Sequence, residues 1–311
     1  MKPVTFEKAI ELKRIERDHY ESVHSPLWTW PNSNAVVVPG GMLMCLAAAA
    51  AYETVDSGFV IDTLHTFFVA GPKHDQLLQF SVQRLNDGGR FLTRVVTVQQ
   101  SGKPVVHVTF SFVRLSAMTG PAMTHAVGRA VPDTVEAITL DDLEVGKNSQ
   151  GPVMSYQRLS VRPTRNSPDS AKPTPDSKTY TSVATITPNI TSPDLKTQTL
   201  GIIALSDYHI LDAPPTLHGI SFGLPAINDA SRAPQASNFG LFTSVNHTLR
   251  FHLHDNFRAD ELCYIEVTNP WAAKRRAEIH SRIFTKDGVL IASCVQGAYY
   301  VLMSDKERSK L

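Results

Sequence analysis

Apolar and polar positions along this chain fall into two blocks of the same pattern, each opening on a helix-like run and continuing as short alternating segments. From Met42 to Thr54 nearly every position is apolar, which predicts about three and a half turns of good helix former, buried all round. Pro39-Gly40-Gly41 ahead of it reads as a chain break. The period then shortens to two. Strands are predicted over Thr63–Val69, Gln76–Leu85, Phe91–Gln100 and Val105–Leu115, with turns at Gly71-Pro72, Asn86-Asp87-Gly88-Gly89 and Ser101-Gly102. A helix of this kind followed by an antiparallel meander can be hidden only if the sheet wraps around it. Residues 1–30 read as a short amphipathic segment, with Trp28 and Trp30 as a lid over the core.

Periodicity fades over 116–151, predicted as an interdomain connection. Val153–Val161 is strand-like, whereas 162–178 is rich in Pro, Ser and Thr with no large apolar residue and reads as a solvated loop. A strand over Thr179–Thr187 precedes a helix over Asp194–Ser206, and strands follow at Thr243–His254, Glu261–Thr268, Arg276–Thr285 and Val289–Val301. Asn246-His247-Thr248 can be laid on Leu64-His65-Thr66, and Lys286-Asp287-Gly288 on Gln100-Ser101-Gly102, so the second block repeats the first. The predicted class is α+β: two helix-wrapped antiparallel sheets, in an N-terminal unit 1–115 and a C-terminal unit 152–311, packed as an internal pseudo-dimer.

Three positions stand out against this frame. Asp207 ends an apolar helical run, where desolvation could tune a carboxylate toward general-base work, although most such residues are caps. Counted from the turn glycines, Gln296 falls where Phe110 falls in the first block. It shares a strand face with Leu290, Ala292, Cys294 and Ala298, so its amide needs partners or aims into a pocket. Ser244 alternates with Asn246, Thr248, Arg250 and His252, which reads as a solvated face. No Gly-x-Ser-x-Gly, Walker loop, HExxH or GxGxxG is present, and Gly40-Gly41 and Gly88-Gly89 read as turns.

Composition narrows the classes. With 311 residues, 42% hydrophobic and 19% charged, the chain has ample material for a globular core, and its net charge of +1 gives nucleic acid or an acidic membrane no electrostatic support. The longest apolar run, Met42–Ala51, is too short to span a bilayer. Cys45, Cys263 and Cys294 are far apart without CxxC spacing, as expected of core thiols in a reducing compartment rather than disulfides or a metal site. Ser309-Lys310-Leu311 is the tripeptide read by the peroxisomal import receptor, behind a polar stretch that would keep it in solvent; the sequons at Asn189 and Asn246 would then go unused.

Ser206-Asp207-Tyr208, Ser244-Val245-Asn246-His247-Thr248, Phe257-Arg258-Ala259-Asp260, Asn269-Pro270-Trp271-Ala272, Asp287-Gly288-Val289-Leu290 and Val295-Gln296, with Gly40-Gly41 and Phe68-Val69-Ala70-Gly71-Pro72 in the first half, together resemble the type II acyl-CoA thioesterase family. The resemblance covers nearly the whole chain outside 162–178. It implies a double hotdog, acyl-CoA as substrate, and hydrolysis by a water that an aspartate, a serine or threonine and a glutamine hold and activate. The matching positions are Asp207, Ser244 and Gln296. Neither cofactor nor metal is implied. The Met42–Thr54 helix would wall an acyl tunnel, exposed Lys or Arg would meet the CoA phosphates, and a homo-oligomer is expected. The chain departs from the family at Asn246, where an acidic residue is usual, at Arg250, where an aromatic is usual, and at Gln296-Gly297-Ala298, where Gln-Glu-Gly is usual. Asn246 and Arg250 are expected close to Ser244. A pathway-dedicated enzyme acting on a specialised thioester, or a non-catalytic acyl-CoA-binding protein, are the alternatives.

Overall fold

The computed structural model describes residues 4–26, 38–125, 128–129, 131–139, 142–143, 153–164, 173–187, 189–207, 210–227, 233 and 235–303. Trp28, Trp30, the centre of the 162–178 loop and the Ser309-Lys310-Leu311 tail lie outside them.

The first half contains a short helix α1 (Phe6–Ala9), a hairpin β1 (Leu12–Glu16) and β2 (His19–Ser22), helix α2 (Gly40–Tyr52), and strands β3 (Phe59–Phe68), β4 (Gln79–Asp87), β5 (Phe91–Gln100) and β6 (Lys103–Arg114). The second half contains β7 (Val153–Pro163), β8 (Lys178–Thr187), helix α3 (Leu195–Asp207), a short α4 (Ala213–His218), β9 (Phe239–Phe251), β10 (Cys263–Ala273), β11 (Arg276–Phe284) and β12 (Leu290–Leu302). The hairpin β1–β2 and helix α4 escape sequence reading. Leu12–Glu16 is mostly exposed and shows little alternation of burial, and Asp18 makes the turn at φ +60.

α2 is buried along its length except at Gly40, as an all-apolar helix must be. α3 begins where Asp194 accepts from the backbone N–H of Thr197 at 2.9 Å, an N-cap that satisfies one of the orphan donors of the first turn. The two 13-residue helices pack antiparallel, the N-terminus of α2 against the C-terminus of α3.

All twelve strands form one antiparallel sheet in the order β1-β2-β4-β5-β6-β3-β9-β12-β11-β10-β8-β7. The two expected sheets are therefore fused edge to edge. β3 pairs with β9 from Thr63↔Arg250 to Phe67↔Asn246, and this junction lies under α2 and α3 in the main core. Fusing the halves removes two exposed edges that would otherwise invite pairing with another chain. The segment following the first half is docked on the opposite face: Val135 and Leu143 are buried with Val183, Tyr264 and Phe284 in a second, smaller core.

The repeat extends to irregularities. In the β5–β6 pair Val105 is a bulged extra residue, and in the β11–β12 pair Ile291 is; each lies three positions beyond a turn glycine of positive φ, Gly102 or Gly288. In the β3–β6 pair Asp62 is bulged, and in the β9–β12 pair Val245 is. Two corrections follow from these bulges. Leu64, not His65, is the residue that matches His247: Leu64 pairs with Phe110 as His247 pairs with Gln296, one position from the alignment read off the sequence. Leu290 lies across the Ile291 bulge and packs with Phe284 on the far face, whereas Gln296, Ala292, Cys294 and Ala298 face the helices.

Candidate active site

The bulge at Val245 shifts the phase of β9. Strict alternation sets Ser244 with Asn246, Thr248 and Arg250 on a solvated face; instead Ser244 points toward the helices with His247, Leu249 and Phe251, and Val245 is left exposed. The Ser244 hydroxyl donates to Asp207 Oδ1 at 2.9 Å, and the Gln296 amide Nε2 donates to Ser244 Oγ at 2.7 Å. The three side chains singled out from the sequence are thus brought into one hydrogen-bonded chain, with Gln296 fully buried and Asp207 nearly so.

Asp207 also reaches the other helix. The backbone N–H of Gly41 donates to Asp207 Oδ2 at 3.0 Å, so the carboxylate caps the N-terminus of α2, where Pro39 offers no side-chain acceptor. This contact corrects the reading of Gly40-Gly41 as a turn: both residues are helical, and their need for glycine is steric. A Cβ on Gly40 would sit 2.7 Å from Asp207 Oδ2 and from the Phe68 ring, and one on Gly41 would drive into the Ala204 carbonyl oxygen. Burial pushes the Asp207 carboxyl above its ordinary value, opposed by His247, the Ser244 hydroxyl, the Gln296 amide and the Gly41 N–H.

A fourth side chain, His247, joins the site. It is fully buried, with Nδ1 2.6 Å from Gln296 Oε1 and Nε2 3.0 Å from Ser206 Oγ, and Cys294 Sγ lies over the ring at 3.4–3.5 Å from both nitrogens. Burial lowers its pKa, opposed by Asp207. The sequence carries no signal for it, because its link to the site is a cross-strand pairing with Gln296 that depends on the Val245 bulge.

The corresponding positions of the first half carry no such chemistry. The last residue of α2 is Tyr52 where α3 ends in Asp207, and the bulged pair Ile61↔Phe112 answers Ser244↔Ala298. Leu64 and Phe110 stand for His247 and Gln296. Among the described residues the arrangement therefore occurs once, in the second half.

The departures at Asn246 and Arg250 are not beside Ser244: beyond the bulge both point to the face away from the helices, where Arg250 is exposed. Asn246 and Gly297 are cross-strand partners. The Gly297 N–H donates to Asn246 Oδ1 at 3.1 Å, and a Cβ at 297 would lie 3.0 Å from the Asn246 amide, so a side chain there requires Asn246 to give way.

Among the described residues no cluster of His, Cys, Asp or Glu could hold a metal ion, and no helix is long and apolar enough to cross a membrane. The three thiols are buried, with Cys45 and Cys294 pushed far up and Cys263 pushed up to about 12, so none is a thiolate nucleophile at neutral pH. The arrangement offers a desolvated carboxylate with a hydroxyl and an amide locked to it, which suits activation of a water rather than covalent catalysis by serine: among the described residues no base other than Asp207 is hydrogen-bonded to Ser244.

The family model of the acyl-CoA thioesterase C-terminal domain matches residues 132–300, and that of the acyl-CoA thioesterase N-terminal domain matches residues 28–113. The chain is similar to acyl-coenzyme A thioesterase 8 of Mus musculus, 24% identical over 327 residues that cover 100% of this chain and 93% of the mouse protein. It is likewise 24% identical to the protein of that name from Homo sapiens, over 88% of this chain and 83% of the human one. Among solved structures, the acyl-CoA thioesterase II TesB2 of Mycobacterium marinum superposes with a TM-score of 0.67 at 21% identity, covering 96% of this chain and 98% of that one. A tesB protein of Mycobacterium avium subspecies paratuberculosis gives 0.68 at 15% identity, covering 95% and 98%. At these identities the structures speak to the fold, a double hotdog.

Proposed function

The chain belongs to the acyl-CoA thioesterase family, and on that premise we propose that Asp207, Ser244 and Gln296 act on one water to hydrolyse the thioester of an acyl-CoA to free CoA and a carboxylic acid. The observation that carries the assignment of residues is the buried chain of hydrogen bonds from Gln296 through Ser244 to Asp207. A thioester is already activated, so the enzyme has to position the water, take its proton and stabilise the oxyanion. Asp207 is the base. Its raised pKa brings it closer to the working pH and so makes it a better proton acceptor than a solvated aspartate. As water attacks the acyl carbon, its proton passes to Asp207; when the C–S bond breaks, that proton goes on to the departing thiolate. Ser244 and Gln296 hold the water and meet the developing charge.

Single turnover in ¹⁸O-labelled water tests this directly. The first turnover is expected to put the label in the released acid, with none in the Asp207 peptide. Label in that peptide would make Asp207 a nucleophile and overturn its role as base. The departures at Asn246, Arg250 and Gly297 face away from the site and lend no support to a specialised substrate; only Ala298, which stands where glycine is usual, shares the site's face, opposite Ser244.

A pocket of about 330 Å³ lies further along β12, its walls including Phe239 and Tyr300 and its rim Lys274, Arg275 and Arg276. These cations suit the phosphates of CoA. Replacing all three with Ala is expected to raise KM for an acyl-CoA but not for the acyl-N-acetylcysteamine thioester, which lacks phosphates; equal effects would remove them from CoA binding. We extend the reading to peroxisomal import through Ser309-Lys310-Leu311, tested by whether deleting Leu311 releases an N-terminally fluorescent fusion from peroxisomes. Self-association is supported by the exposed Phe67, Leu241, Val245 and Val295 on the face away from the helices, and light scattering tests it.

A further inference from the structure

We propose that His247 is a positioning residue for this reaction: present as the Nδ1–H tautomer, it fixes the Gln296 amide with its Nε2 toward Ser244. The inference rests on the reading of Asp207, Ser244 and Gln296 as the catalytic groups, and it follows from counting protons around the buried chain. The Ser244 hydroxyl has one proton and gives it to Asp207 Oδ1 at 2.9 Å. Toward Gln296 it can therefore only accept, so the amide must present its NH₂, 2.7 Å away. That turns Oε1, an acceptor, onto His247 Nδ1 at 2.6 Å, and the ring must carry a proton there. In the neutral ring Nε2 is then bare and accepts from the Ser206 hydroxyl at 3.0 Å, which otherwise turns to the Ile203 carbonyl at 2.8 Å. With Asp207 ionised, every group has a partner in this arrangement only. Flipping the amide would set its oxygen against the Ser244 oxygen, neither with a proton to share, and turn its NH₂ against a protonated Nδ1.

A buried polar pair could serve packing alone, but the repeat argues otherwise. At the same two ladder positions in the first half stand Leu64 and Phe110, paired and fully buried. The fold therefore closes with an apolar pair at this place. In the second half it carries His247 and Gln296, equally buried, where Asp207 and Ser244 are. Ser244 asks the amide for its NH₂ from one side, and His247, by donating to Oε1 from the other, holds the same orientation.

The test reads the tautomer and the rate separately. In protein labelled with ¹⁵N-histidine, the His247 resonance is identified among the 12 histidines by its absence from H247N. It is expected to show a protonated Nδ1 and a bare Nε2 at neutral pH, with no substrate present, so this result stands whatever reaction the site performs. H247L, which installs the residue of the equivalent first-half position, is expected to lose about tenfold to a hundredfold in kcat, the range seen when a group that orients a catalytic ligand is removed, with KM little changed. H247N, whose amide can donate near the Nδ1 position, is expected to regain a large part of that loss. A proton found on Nε2, or H247N no more active than H247L, overturns the assignment.

Discussion

Replacing Gly41 with alanine sets two effects of opposite sign against each other. Helix propensity favours alanine over glycine by about 1 kcal/mol in a helix interior, so local reasoning expects a more stable protein. The tertiary structure expects the reverse. A Cβ at 41 would drive into the Ala204 carbonyl oxygen, with the carbonyl carbon only 3.1 Å and the Ala204 Cα 3.3 Å away. Backbone cannot swing aside as a long side chain can. To regain an ordinary contact of ~3.5 Å, α2 and α3 must part by about 1 Å, which stretches the Gly41 N–H to Asp207 contact from 3.0 Å to about 4 Å, beyond a hydrogen bond. Overpacking of a tight core costs about 1–3 kcal/mol, and a lost hydrogen bond to a charged group adds about 1.5–3 kcal/mol. Partial relaxation reduces their sum, and the net expectation is a loss of about 2–3 kcal/mol in urea unfolding. Because Asp207 loses one of its two anchors, kcat is expected to fall about a hundredfold, as for a 1 Å misplacement of a catalytic group, read by release of free thiol from an acyl-CoA. A variant at least as stable as wild type with unchanged kcat would refute the close-approach reasoning.

Asp207→Asn is expected to cut thiol release by about 10²–10⁴-fold, the usual worth of a positioned base; turnover near wild type would exclude Asp207 as the base. In wild type, kcat/KM should climb with pH along a limb whose midpoint lies above 3.8, because the base works ionised and burial raises its pKa; a limb at or below 3.8 would contradict that burial effect. The same shift has a stability sign. A carboxyl whose folded pKa is raised binds its proton more tightly when folded, so its contribution is full at low pH and lost as pH rises from 3.8 through the folded value. Urea midpoints should therefore move in favour of Asp207→Asn, relative to wild type, as pH rises through that window, and a difference that stays flat would show no linkage. On the opposite face, the buried Glu266 accepts from Arg129 at 2.5 Å, Arg162 at 2.7 Å and Arg282 at 2.9 Å. Since these guanidiniums remain partly solvated, Glu266→Ala should cost about 2–3 kcal/mol in urea unfolding and leave kcat unchanged. A large drop in kcat would show that the outer face couples to the site.

Most regular elements of this protein are legible one at a time, because helix and strand periods are local properties of the chain. The all-apolar run ending at Thr54 yields α2, the capped run ending at Asp207 yields α3, and Phe91–Gln100 is bounded by its own turns. The repeat is legible too, since turn glycines mark it in both halves. The site is legible only in part. Gln296 stands out as an amide where its counterpart is Phe110, but alternation sends Ser244 to solvent, because nothing in Ser244-Val245-Asn246 announces that Val245 will bulge opposite Gly297 and Ala298. The glycines at 40 and 41 look like a turn for the same reason: what forbids a side chain there is the end of a helix more than 160 residues away in the chain. His247 enters the site through a partner on another strand. Local patterns along the chain dictate which residues form helix and strand and which types are available for chemistry. Which of them meet is a matter of packing between segments, because a bulge, a close helix approach and a cross-strand pair are set by contacts between them and leave no periodic trace in either one.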